Sequence, residues 1–137
     1  LGLMNFEGQG KPKDFSLARE YFENYLKEEE RKYDAETYKY LGMIYLKGQD
    51  KLCDFDKASL YFRISEKLRE DSENEFWIAI LIYAGYGDMI NNDANMWLRK
   101  SAEKGNENAN KCLNDINSKK KYVQEIINSK SKIPVQQ

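Results

Sequence analysis

Residues 1–22 (LGLMNFEGQGKPKDFSLAREYF) align without a gap on residues 41–62 (LGMIYLKGQDKLCDFDKASLYF), and ten of the 22 positions are identical. Leu1 falls on Leu41, Gly2 on Gly42, Gly8 on Gly48 and Gln9 on Gln49. Lys11 falls on Lys51, Asp14 on Asp54 and Phe15 on Phe55, while Ala18, Tyr21 and Phe22 fall on Ala58, Tyr61 and Phe62. A self-match with a period of some tens of residues marks stacked supersecondary units, none of which can bury its apolar face alone. Chance similarity inside an ordinary helical bundle would not keep both glycines of each copy in register. The chain is thereby constrained to an array in which each unit packs on its neighbours.

Each unit reads as helix, glycine-closed loop, helix. Plotted at ~100° per residue, Ala35 to Lys47 puts Tyr38, Leu41, Gly42 and Tyr45 on one side. That side is expected to meet the following helix, where Ala58, Tyr61 and Phe62 form the matching stripe. Glycine inside a helix costs about 0.5–1 kcal/mol relative to alanine. A close approach of Gly42 to Ala58 is the expected compensation. Gly8, Gly48 and Gly85 stand where a left-handed residue would end the first helix of a unit, and Asp54 stands where a helix N-cap belongs.

A third copy is more diverged. Ile78-Ala79 stand for Leu-Gly, Ile82 for Tyr, and Gly85-Tyr86-Gly87 for the loop glycines. Ala94, Trp97, Lys100, Ser101-Ala102-Glu103, Gly105-Asn106 and Ala109 complete it. Together these residues resemble the Sel1-like repeat, a relative of the tetratricopeptide repeat, over residues 1 to about 113. The resemblance implies an all-α fold, a right-handed α-solenoid of antiparallel helix pairs, and the role of adaptor or scaffold in protein complexes. Some bacterial relatives carry one disulfide per repeat and a suggested hydrolase activity. The regular cysteines this would need are absent here: Cys53 and Cys112 are the only two, spaced too irregularly for such staples.

Composition removes several function classes. The formal net charge of −1 gives no basic field for nucleic acid. No apolar run approaches the ~18–20 residues of a membrane span. There is no histidine, the commonest general base and metal ligand, and two distant cysteines make no zinc site. Gly8-Gln9-Gly10 and Gly85-Tyr86-Gly87 follow helices rather than strands, so they are repeat loops and not phosphate cradles. No catalytic residue, cofactor or metal is expected.

The units are expected at about 1–34, 35–70 and 73–105, followed by one long capping helix over about 106–129 and a tail over 130–137. The first unit's second helix should run long, through EYFENYLKEEERKY. The stretch FWIAILIYA, within a helix over Glu73 to Ala84, is apolar all round and so should be buried on every side. The gap in the apolar pattern at Lys119-Lys120-Lys121 suggests a more exposed middle of the capping helix, or a kink. Because Leu1 falls inside a repeat, the chain reads as a piece of a longer protein, and the compartment is left open.

Binding is expected on the inner face of the first helices. Lys39, Met43, Leu46 and Lys47 point away from the second helix of unit 2; Leu3 and Phe6 occupy the corresponding places in unit 1, and Phe76, Ile80 and Tyr83 in unit 3. Stacking would align Leu3/Met43/Ile80 and Phe6/Leu46/Tyr83 as two apolar rows with Phe6 and Tyr83 as aromatic anchors. Such a groove suits an amphipathic helix or an extended apolar segment of another protein, within a larger complex. Two alternatives stand beside this one: neighbouring helices or the inward-folded capping helix already cover the rows, or the piece is a spacer of a longer solenoid with no ligand of its own.

Overall fold

A computed structural model describes residues 15–28, 33–48, 54–86 and 93–131. Seven helices follow one another among these residues: α1 (Phe15–Tyr25), α2 (Ala35–Lys47), α3 (Phe55–Leu68), α4 (Ser72–Tyr83), α5 (Ala94–Glu103), α6 (Glu107–Asn114) and α7 (Ile116–Ser131). The helix starts are set by short polar side chains. Asp34, Asp54, Asp71, Asp93 and Asn106 each accept hydrogen bonds from backbone N–H groups of the first turn of α2 to α6. Each such cap is worth about 0.5–2 kcal/mol.

The helices pack in chain order, α1 on α2, α2 on α3, α3 on α4, α4 on α5 and α5 on α6, which is the topology of an α-solenoid. The core has two parts. Ala18, Phe22, Leu41 and Ile44 join α1 to α2, and a longer cluster runs from Tyr45 through Phe62, Phe76, Ile80 and Leu98 to Ile126. Tyr61 packs on both. It stacks on Tyr38 and Tyr45 at 6.1 and 5.6 Å, so the tyrosines of the α2 stripe do meet α3.

Buried serines tie the two helices of a unit together, and Ser65 also ties the second unit to the third. The Ser65 hydroxyl donates to the Ala35 carbonyl at 2.7 Å and accepts from Asn74 Nδ2 at 2.9 Å, joining α3, the start of α2 and the start of α4. One unit on, Ser101 repeats the first of these bonds with the Ser72 carbonyl at 2.6 Å. Ser65→Ala would leave a buried carbonyl and a buried amide without their partner, at a cost of about 1–3 kcal/mol. A urea midpoint equal to that of the wild type would show that the hydroxyl does not hold these three helices together.

Several expectations need correction. Gly42 faces Phe62, not Ala58: a Cβ built there would lie 2.8 Å from two ring carbons of Phe62. Gly48 has φ −61°, so it ends α2 without a left-handed turn; Gly85 and Gly105 adopt positive φ, at 95° and 92°. α1 ends at Tyr25 rather than continuing through the charged run. The single capping helix is two helices, because Asp115 is extended (φ −139°, ψ 109°) and breaks the run. Its carboxylate accepts from the Asn117 N–H and the Ser118 hydroxyl, starting α7 afresh. Gly8, Gly2 and Cys53 lie outside the described residues, and Cys112 is a buried free thiol whose pKa burial pushes up.

Candidate binding face

The all-apolar helix α4 is the floor of the candidate site. Its Phe76, Ile78, Ala79, Ile80 and Leu81 are at most 2% exposed, but Trp77, Ile82 and Tyr83 are only partly buried, so it is packed on most of its circumference and not on every side. The predicted inner-face residues separate into three groups around it. Leu46, Phe76 and Ile80 are buried in the main core, at 6%, 2% and 0% exposed, and offer almost no surface to a partner. Leu3 and Phe6 lie outside the described residues. Lys39, Met43, Lys47 and Tyr83 remain partly or fully accessible.

Lys39 is already engaged. Its ammonium lies 3.1 Å from Asp71 and 3.3 Å from Glu73, bridging α2 to the start of α4. Desolvation works against the Lys39 charge, but the two carboxylates outweigh it and hold the pKa above its usual value. The Asp71 carboxyl, which burial alone would raise, is held below its usual range by the same pair and by the N–H groups it caps. Lys39 is therefore already paired across the two units.

Of the four accessible residues, Met43 and Lys47 line a groove of about 380 Å³. Met43 and Lys47 of α2 form one wall, Phe76 and Trp77 of α4 the floor with Glu73 at its end, and the start of α6, from Asn106 to Asn108, the other wall. Lys47 and Glu107 are exposed at the rim. Of the predicted set, Met43, Lys47 and Phe76 are thus brought together, while Trp77 and the α6 wall carry no signal in the repeat pattern. Tyr83 lies further along α4, half-buried; its hydroxyl donates to Asn95 Oδ1 and its ring carries the Lys119 ammonium 4.3 Å from the centroid. The cation above it comes from α7, which folds against α4 and also sets Tyr122 edge-on to Phe76 and Trp77.

A larger cleft, of about 490 Å³, lies on the other side, between α3 and α5. Its one large aromatic residue, Trp97, is 8% exposed and flanked by Arg63 and Lys100, 5.9 and 5.3 Å from the ring centroid. Its carboxylates are engaged as well: Lys100 pairs with Glu66 and Glu70, and Lys104 with Glu70 and the wholly buried Glu75. Three carboxylates this close could hold a cation, but the two ammonium groups already supply the compensating charge. The inner groove has Phe76 and Trp77 as its floor, the Lys39–Glu73 pair at its end and the exposed Lys47 and Glu107 at its rim.

Among the described residues no helix is long and apolar enough to cross a membrane. Searches of curated proteins and of solved structures returned no match. The Sel1 repeat family model matches residues 1–24, 35–66 and 91–106, which is 72 of the 137 residues. The matched stretches hold both copies of the ungapped 22-residue self-match and the second helix of the third unit. Repeats of this family are generally protein–protein interaction modules and typically non-enzymatic. With the helix pairs, the serine ties and this match in agreement, the chain belongs to the Sel1 repeat family.

Proposed function

We propose that the chain is a non-enzymatic adaptor whose inner groove takes a helical or extended apolar segment of a partner protein. The observation that carries this reading is the groove itself, with Met43 and Trp77 half-buried on two successive units and flanked by the exposed Lys47 and Glu107. Partly buried aromatic and thioether side chains in a shallow concave site supply contact area at low entropic cost, the usual make-up of an anchor. The polar groups at the rim would set orientation rather than affinity.

The test is capture of a partner by the immobilised chain, followed by titration of the partner so identified. Trp77→Ala and Met43→Glu are expected to weaken binding by about 30-fold or more, the loss typical of an anchor. Lys27→Glu, on an exposed position beyond α1, is expected to leave it unchanged. Retention of binding by both groove variants with loss by Lys27→Glu would move the site off the inner face and sink the proposal.

A further inference from the structure

We infer that α7 is a displaceable ligand of the chain's own inner face, and that this face accepts amphipathic helices bearing the α7 pattern. That pattern is Lys119, Tyr122, Val123 and Ile126, at spacings i, i+3, i+4 and i+7, which form one stripe of a helix. The stripe meets α4. Lys119 sits over the Tyr83 ring, Tyr122 packs edge-on against Phe76 and Trp77 with centroids 5.0 and 6.1 Å apart, and Val123 and Ile126 join the core cluster. Order of contact along α4, Tyr83 under Lys119 and Phe76 under Tyr122, shows the two helices running in opposite senses. Phe76 and Trp77 are at once the floor of the open groove and the seat of Tyr122. Departure of α7 would therefore extend the groove along α4 to Tyr83.

Two features make α7 a ligand rather than a fixed layer. Of its described side chains only Ile126 is buried, whereas α2 and α4 each bury seven residues. Ile116 and Ile127 are 60% and 43% exposed. Its link to α6 is the single extended residue Asp115, a pivot that lets α7 swing without unwinding α6. A segment tethered by so short a joint faces its site at an effective concentration in the mM range. A partner helix must outcompete it, and the apparent affinity of the closed chain falls in proportion to the open fraction. The inference rests on the reading of the inner face as the binding face, but its test needs no outside partner.

The test uses the full chain and a fluorescein-labelled peptide of residues 116–131. In the double variant Tyr122→Ala/Ile126→Ala the tethered α7 is weakened, and the peptide is expected to bind at least about ten-fold more tightly than to the wild type. A peptide carrying the same two substitutions should not bind. Equal affinity for both chains, or no binding to a variant whose circular dichroism matches the wild type, would overturn the inference. Should the variant unfold, hydrogen exchange of the wild type decides: α7 amides are expected to exchange about 100-fold faster than those of α4, and equal protection would make α7 part of the core. If the peptide fails to bind while Met43→Glu still abolishes partner capture, the groove reading survives and only the α7 inference falls.

Discussion

Gly42→Leu is expected to lower the urea midpoint more than any exposed substitution on α2, by an equivalent of about 3 kcal/mol or more. Gly42 lies against Phe62, which is wholly buried, and even the Cβ of alanine would come within 2.8 Å of ring atoms Cδ1 and Cε1. These are atoms of a rigid ring hemmed in by the α2–α3 core, so the whole ring must move. Gly42→Ala separates the two opposing effects. Removing glycine from a helix interior gains about 0.5–1 kcal/mol, and overpacking costs typically about 1–3 kcal/mol, so the net change remains unfavourable but smaller. Leucine adds three more carbons to the same contact with no further gain in propensity. Lys47→Ala, at the exposed end of the same helix, should fall within about 0.5 kcal/mol of wild type. Equal midpoints for Gly42→Leu and Lys47→Ala would mean that α2 and α3 do not approach each other at Gly42.

That the sequence points to the right glycine but the wrong partner has a simple cause. Ala58 and Phe62 are one helical turn apart on the same face of α3, and periodicity assigns a face, not a height along it. The bounds of α2, the N-cap at Asp54 and the burial of α4 are legible because each rests on local pattern or composition. The inner-face assignment on α4 is not. A helix that is apolar all round carries no facial signal, so repeat register alone sends the wholly buried Ile80 to the binding face and misses Trp77, which lines the groove beside Phe76. The Asp115 break is hidden for a related reason. Leu113, Ile116, Val123, Ile126 and Ile127 keep helical spacing across it, and the one local sign is an aspartate with Ser118 three residues on, the arrangement of a cap. The Lys119-Lys120-Lys121 gap places Lys119 on Tyr83. Nor does pattern reading look for carboxylates inside, yet Glu66 and Glu75 are 7% and 0% exposed.

Those two carboxylates give the second expected result: between pH 5 and pH 9 the wild type loses stability, and Glu66→Gln removes most of that loss. Burial, and then the neighbouring Glu75 carboxylate, push the Glu66 carboxyl from an ordinary value of 4.5 up to about 8; the Asp71 N–H and the Lys100 ammonium oppose the rise. The groups facing it are Glu75 from α4, Glu70 and Asp71 from the turn, and Lys100 and Lys104 from α5 and its end. At neutral pH the folded chain thus keeps a proton on Glu66 that the unfolded chain has released. Stability must then fall with rising pH, fully present below 4.5 and lost as the pH passes about 8. A tenfold difference in proton affinity between the folded and unfolded chains is worth about 1.4 kcal/mol. Discounted for solvent screening at the open side of the cleft, the drift is on the order of a few kcal/mol, or several degrees in Tm. The Cys112 thiol, raised by burial from its ordinary 9.0, adds a small loss only at the upper edge of this window, and the remaining displaced groups act outside it. Glu70 and Asp71, both lowered, weaken the fold only in acid, and Lys39, Lys100 and Lys104, all raised, only above the usual lysine range. Glutamine keeps the acceptor for the Asp71 N–H and a donor for Glu75, but has no proton to lose. Glu66→Gln should accordingly match the wild type at pH 5 and exceed it at pH 9. Thermal midpoints that run parallel for the two chains across this range would show that Glu66 is ionised in the folded state and that Lys100 and Lys104 already neutralise it.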